Sequence, residues 1–328
     1  MYPRISDLFA DLFGVEVALP LYTFGLMVAV AILTAAWLTR RELDRMYAAG
    51  LVGPVRTVET DPKTKRTRTV SASPAGLVNA FTILALVVGV LGAKLFHILD
   101  YWEQFVADPA GMLFATSGLT FYGGLICAAV AIALYARHRG LSVPRLADAV
   151  APTLLLGYGI GRIGCYLAGD GDWGVCSQLE DKPGWLPGWL WSETFPRNLA
   201  GPGQTPVDPL AFNAAVRGEQ CALPSPDGVY PTMLYEFAVC ALLFAALWAV
   251  RKHPFKAGWL FSAYLVLAGV QRFTVEFIRV NPELALGLSQ SQWISLGLVA
   301  AGLVGLALTT RRTAAPPAAT RPAAPVPA

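Results

Sequence analysis

Leu77-Val-Asn-Ala-Phe-Thr-Ile-Leu-Ala-Leu-Val-Val-Gly-Val-Leu-Gly-Ala-Lys-Leu-Phe-His-Ile-Leu99 is an apolar run whose only ionisable groups, Lys94 and His97, stand near its end. A hydrocarbon core of about 30 Å needs about 20 such residues wound as a helix, so this stretch is long enough to cross a bilayer. Six more stretches qualify, at residues 19–38, 118–136, 149–168, 231–250, 257–277 and 287–308. The least apolar is 149–168, which contains Pro152, Arg162 and several glycines. Across all 328 residues, 55% are hydrophobic and 14% charged, against roughly a quarter charged in soluble domains. That balance excludes a disordered chain and argues against a soluble enzyme. The net charge is only +3, and no basic face stands out among the apolar runs, so nucleic acid is not an expected partner. The fold class is an all-α polytopic membrane protein with seven transmembrane helices.

The basic residues orient it. The 39–76 loop carries eight: Arg40, Arg41, Arg45, Arg56, Lys63, Lys65, Arg66 and Arg68. Residues 137–148, 251–256 and the C-terminal tail carry three each, whereas all the opposite loops together carry five. By the positive-inside rule, the N-terminus is expected outside and the C-terminus in the cytoplasm. Residues 1–18 lack a basic start and carry Asp7, Asp11 and Glu16, so no cleavable leader is expected there.

The expected organisation is a transmembrane bundle over residues 1–312. Inserted in it are a basic cytoplasmic loop at 39–76 and an external cap at 169–230 that is rich in Gly and Pro. The basic loop reads as a solvated topology determinant or as a contact for anionic head groups. The cap holds Trp173, Trp185, Trp189 and Trp191, a density that suggests a surface lying at the membrane interface. Residues 313–328 are Ala/Pro low complexity and are expected to be disordered. Cys176 and Cys221 both lie in the external segment, where a disulfide is permitted. Cys127, Cys165 and Cys240 fall within spans, where cysteine commonly serves as a small apolar filler.

Ionisable groups inside spans are costly and mark function by default. Six occur: Lys94, His97, Arg162, Glu236, Arg272 and Glu276. Given the orientation, all six fall in the outer half, within about 10 Å of the external boundary at 1.5 Å per residue. Snorkelling alone would distribute such residues to both surfaces. One polar layer built from four helices describes a site, whereas a channel or carrier would need groups at mid-depth and on the inner side. Arginine's planar fork suits phosphate oxygens. Arg272, Glu276 and Arg279, spaced i, i+4, i+7, are expected on one helix face. Around Arg162 the chain reads Gly157-Tyr-Gly-Ile-Gly-Arg-Ile-Gly-Cys-Tyr-Leu-Ala-Gly-Asp-Gly-Asp-Trp-Gly174. Its formal GxGxxG lacks the strand and βαβ context of a dinucleotide site; such small residues permit close helix approach or let a ligand reach the backbone. Asp170 and Asp172 read as turn formers.

Gly161-Arg-Ile-Gly164, Gly169 to Gly174, Pro231-Thr-Met-Leu-Tyr-Glu236, Arg272-Phe-Thr-Val-Glu-Phe-Ile-Arg279 and Gly287-Leu-Ser-Gln-Ser-Gln-Trp293 together resemble the prolipoprotein diacylglyceryl transferase family. Phe121-Tyr-Gly-Gly-Leu125, Gly25-Leu-Met27 and Gly92-Ala-Lys-Leu95 are similar to further family segments, in the family's order. The resemblance implies a seven-span enzyme of the bacterial inner membrane. Such an enzyme moves the diacylglyceryl group of phosphatidylglycerol onto the lipobox cysteine thiol of a preprolipoprotein, the first step of lipoprotein maturation. It implies phosphatidylglycerol, a lipobox peptide and membrane lipids as partners, and neither metal nor cofactor.

By the resemblance, Arg162, Glu236, Arg272 and Glu276 match positions important to that reaction, and Tyr122 stands where the family usually has a histidine base. These five are the expected catalytic residues. Expected substrate contacts are Arg162, Arg272, Lys94, His97, Cys165, Gly174, Tyr235 and Arg279. Cys165 replaces the usual asparagine, Phe24 the usual tyrosine, and Trp173-Gly174 follows Arg162 by one extra residue. A phenol is a weaker base than an imidazole at neutral pH, so His97, Glu236 and Tyr122 itself all stay open as the proton acceptor. A lipid-binding relative that lost its chemistry with that histidine is the alternative reading.

Overall fold

The structure is a computed structural model that describes residues 2–15, 21–60, 67–115, 118, 120–201, 205–217 and 226–311. The expected tail, Cys221, and Lys63, Lys65 and Arg66 of the basic loop lie outside the described residues. The helices are α1 (Ile5–Phe13), α2 (Thr23–Ala48), α3 (Val78–Asp100), α4 (Trp102–Ala107), α5 (Pro109–Phe114), α6 (Phe121–His138), α7 (Val143–Ala168), α8 (Pro209–Arg217), α9 (Thr232–Val250), α10 (Trp259–Val275) and α11 (Gln290–Thr309). Seven of the helical segments, centred on α2, α3, α6, α7, α9, α10 and α11, are long and apolar enough to span a membrane, in agreement with the seven expected stretches. Among the described residues the strands form three two-stranded antiparallel sheets, β1 (Val55–Thr60) with β2 (Thr67–Ala72), β3 (Cys176–Ser177) with β4 (Gly228–Val229), and β5 (Glu283–Ala285) with β6 (Leu288–Ser289).

The span at 19–38 runs ten residues further than its apolar stretch, because Arg40-Arg-Glu-Leu-Asp-Arg-Met-Tyr47 is made largely of good helix formers, and α2 ends only at Ala48. The expected loop at 39–76 is therefore the end of a helix followed by a hairpin. α7 carries Pro152 in its interior, which a spanning helix tolerates when its neighbours re-satisfy the freed carbonyl.

Two compact units emerge among the described residues, one from the residues up to Ala35 together with those from Val150 onward, the other from Ala36–Ala149. In the first, Ala151 and Leu155 of α7, Cys240 and Leu247 of α9 and Leu260 of α10 form a buried apolar cluster. A second cluster joins Cys165, Trp173, Phe195, Val229 and Met233. Trp173 is 1% exposed and packs against Phe195 and Phe212. Its indole therefore fills the cap's own core, against the expectation of an interfacial anchor, whereas Trp185 at 82% and Trp189 at 56% remain open. Cys176, on β3, is disulfide-bonded; Cys127, Cys165 and Cys240 are free thiols.

In the second unit α3 packs on α6 through glycines. A Cβ on Gly92 would meet the Cys127 Cβ at 2.5 Å and the Gly123 carbonyl at 2.9 Å, and one on Gly124 would meet the Gly89 carbonyl at 2.8 Å. Without a hydrophobic driving force between helices in lipid, such close backbone approach supplies the van der Waals contact that holds them. Gly124→Val should lower the thermal unfolding midpoint in detergent, consistent with the about 1–3 kcal/mol typical of overpacking; an unchanged midpoint would contradict this contact.

Candidate active site

Three helix ends and two turns of the first unit converge on one set of ion pairs. Arg162 sits in the penultimate turn of α7, one turn after Tyr158. Glu236 lies in the second turn of α9 and is 1% exposed. Its Oε1 accepts from Arg162 Nη2 at 2.7 Å and from Arg279 Nη1 at 3.0 Å, and its Oε2 accepts from the Tyr158 hydroxyl. Both arginines also donate to Asp172, which stands just beyond α7 in a turn made by Gly169 (φ 61°) and Gly171 (φ 90°). Two guanidiniums thus share two carboxylates, and Asp172, with 36% of its side chain exposed, is the open edge of the cluster.

Arg272 and Glu276 form a second pair, 2.9 Å apart. Glu276 Oε1 further accepts from Ser289 Oγ at 2.5 Å and Asn281 Nδ2 at 2.9 Å, and Arg272 Nη2 donates to Ser291 Oγ at 2.9 Å. The two sets touch where Arg279 Nε lies 3.9 Å from Glu276 Oε2. Arg279 does not share a helix face with Arg272, as the spacing suggested. α10 stops at Val275, a 3-10 turn covers Glu276–Ile278, and Arg279 is extended (φ −95°, ψ 157°). That extended backbone forms a bridge with Gly174 and turns the guanidinium back onto Glu236.

Gly174 is where the chain must pass closest. A Cβ there would meet the Ile278 carbonyl at 2.6 Å and Thr232 Cγ2 at 2.7 Å. Asn213 of α8 locks the position, donating to the Gly174 carbonyl at 3.0 Å while accepting from the Trp173 indole at 3.0 Å. Tyr235 donates to the Leu190 carbonyl at 2.6 Å, which fastens α9 to the cap. Cys165 is buried and takes a 3.5 Å contact from Arg162 Nη1. Between α9 and α10 runs a cavity of about 430 Å³ lined by Val239, Leu243, Leu267 and Val270, with Tyr235 and Glu236 among its lining residues.

The structure thus brings together Arg162, Glu236, Arg272, Glu276 and Arg279, with Cys165, Gly174 and Tyr235 around them. Lys94, His97 and Tyr122 belong to the other unit. There Lys94 donates to the Ala115 carbonyl at 2.9 Å, and Lys94 and His97 line a cavity of about 280 Å³ with Gln104 and Asp108. Tyr122 stands half-buried in the first turn of α6, its ring edge-on to Phe121. Two members of the cluster carry no site signal in the sequence: Tyr158, and Asp172, whose glycine-rich setting reads as a turn. The one hint of Asp172 was the excess of cations over carboxylates in the polar layer.

Burial would raise the Asp172 carboxyl, but the Arg162 and Arg279 guanidiniums overrule it and hold the group at about 2. An unfolded aspartate titrates near 3.9. The stabilisation is therefore present above about pH 4 and is lost as the pH falls toward about 2. Thermal unfolding followed from pH 7 down to pH 2 should show that decline in the wild type and a shallower one in Asp172→Asn, which should start out less stable at pH 7. Glu236→Ala strands two buried guanidiniums and should cost about 3–5 kcal/mol, read by the same measurement; a near-neutral result would contradict the clamp.

Comparisons with known proteins give the family. The family model described as prolipoprotein diacylglyceryl transferase matches residues 11–308. A phosphatidylglycerol–prolipoprotein diacylglyceryl transferase of Chromohalobacter salexigens is 29% identical over 309 residues, 92% of each chain. One from Dehalococcoides mccartyi is 32% identical over 220 residues, covering 66% of this chain and 71% of the relative, and one from Bordetella avium is 32% identical over 236 residues, 70% and 75%. The chain belongs to the prolipoprotein diacylglyceryl transferase family.

Proposed function

We propose that this multi-pass membrane protein transfers the diacylglyceryl group of phosphatidylglycerol to the lipobox cysteine thiol of a preprolipoprotein. In this reading it resides in the bacterial inner membrane, with its N-terminus and the 169–230 cap outside and the 1–312 bundle carrying the chemistry. The observation that carries the reading is the buried arginine layer. Arg272 Nη1 is buried with no hydrogen-bond partner among the described residues, while its Nη2 is held by Glu276 and Ser291. A phosphate oxygen is the acceptor that such a fixed fork suits.

The head-group phosphate of phosphatidylglycerol takes its place at Arg272 and reaches the edge of the Arg162–Arg279 pair, while an acyl chain lies along the apolar cavity between α9 and α10. The acceptor thiol loses its proton and its sulfur attacks the glyceryl carbon bonded to the phosphate oxygen. The new C–S bond forms as the C–O bond breaks, and the electron pair leaves on glycerol phosphate. The charge that gathers on the departing phosphate is met by guanidiniums already held in place, which is where fixed donors lower a barrier most. Glu236 and Glu276 keep those guanidiniums positioned before substrate arrives.

Vesicles of phosphatidylglycerol carrying the protein should lipidate a lipobox peptide. Arg272→Ala and Arg162→Ala should each lower kcat by about a hundred- to a thousandfold; wild-type rates in both would remove the phosphate assignment. An inactive wild type that gains activity on Tyr122→His would establish the lipid-binding alternative instead.

A further inference from the structure

We propose that Asp170 is the group that takes the proton from the acceptor thiol. The inference deepens the transferase reading and rests on it. Among the described residues, four carboxylates belong to the arginine cluster and the turn after α7, and three are committed. Glu236 accepts from two arginines and Tyr158. Asp172 accepts from the same two arginines. Glu276 accepts from Ser289 and Asn281 and pairs with Arg272. Each of these three holds a guanidinium in place, so none is free to serve another partner.

Asp170 differs in each respect. It is solvent-exposed, makes no ion pair among the described residues, and its carboxylate accepts the Asp172 backbone N–H at 3.3 Å and a hydrogen bond from the Cys165 thiol. It lies between the two left-handed glycines that close α7, and one of its carboxylate oxygens lies within 4.8 Å of both Cys165 Sγ and an Asp172 oxygen. The charged and titratable groups facing it are Arg162 and Cys165 from α7 and Asp172 from its own turn. Partial desolvation and the Asp172 anion raise its carboxyl above the usual range, with the Cys165 hydrogen bond and Arg162 opposing them, which makes it a better proton acceptor than Asp172. The three groups Cys165, Asp170 and Asp172 do not form a cation site, since Arg162 Nη1 already occupies the space 3.5 Å from the sulfur and Asp172 is spent on two guanidiniums.

The step balances without a further reactant. The thiol proton passes to the Asp170 carboxylate, the sulfur closes on the glyceryl carbon, and the C–O electron pair departs with the phosphate. The carboxylic acid then returns its proton to the released phosphate or to water. Asp170 thus stands beside the arginine cluster that receives the leaving group, and proton and phosphate leave through the same open edge.

The test is the pH dependence of kcat/KM for the full-length protein in phosphatidylglycerol vesicles with a lipobox peptide, for wild type, Asp170→Asn and Asp170→Glu. Thermal midpoints are recorded alongside. A positioned base contributes about 10²–10⁴-fold, so Asp170→Asn should lose at least about a hundredfold and its rate should lose the acidic limb seen in the wild type. Asp170→Glu should recover part of the rate with that limb displaced. If Asp170→Asn unfolds, the displaced limb of Asp170→Glu decides alone. An Asp170→Asn rate within about twofold of wild type, or an acidic limb that does not move in either variant, overturns the assignment. Failure of the transferase reading looks different: the wild type itself gives no product where the Chromohalobacter salexigens relative does.

Discussion

Everything at the polar end of the first unit hangs on one buried negative charge. Glu236, 1% exposed on an otherwise apolar helix, is held only because Arg162 and Arg279 meet it from α7 and from the segment after α10. An isolated carboxylate in that position would be expelled or protonated; paired, it dictates where three separate pieces of chain must come. Asp172 completes the square from the turn after α7. The cluster is close to neutral before any ligand arrives. Its arginines are therefore positioned by the protein's own carboxylates, and an arriving anion finds donors already fixed.

Irregular backbone lies where this cluster needs it. A regular helix would have carried Arg279 round the face of α10, away from Glu236. The 3-10 turn at Glu276–Ile278 and the extended residue after it aim the guanidinium instead, and the freed backbone is taken up by the Gly174 bridge and by the Val175 amide, which donates to the Ile278 carbonyl at 2.9 Å. Only glycine lets the cap and this segment meet at that separation. The cap is thus a structural part of the site, tied in through Trp173, Asn213 and Tyr235.

The sequence made the spans legible because apolar length is a demand of the bilayer itself, and all seven stretches correspond to helices. It also exposed the costly charges Arg162, Glu236, Arg272 and Glu276, since little else explains ionisable groups there. It hid the role of Asp172 and misplaced Arg279, which it read as a substrate contact on the helix face of Arg272. Both sit just outside the apolar runs, where charge is ordinary, and their burial arises from turns that no periodicity announces. The helix-face reading of Arg279 failed for the same reason: spacing assumes a helix that the chain abandons at Val275. Trp173 misled because an indole in an external segment reads as an anchor until its partners, Phe195 and Phe212, are seen around it.

The bridge at Cys176 carries a consequence for the incoming polypeptide. Disulfides persist where the surroundings oxidise sulfur, and an unprotected cysteine arriving in such surroundings is open to capture by a passing disulfide. Once alkylated, that sulfur is a thioether and has left the exchange for good. On the proposed topology, with the cap outside, lipidation would therefore do more than attach an anchor: it would shelter one chosen cysteine from thiol–disulfide exchange.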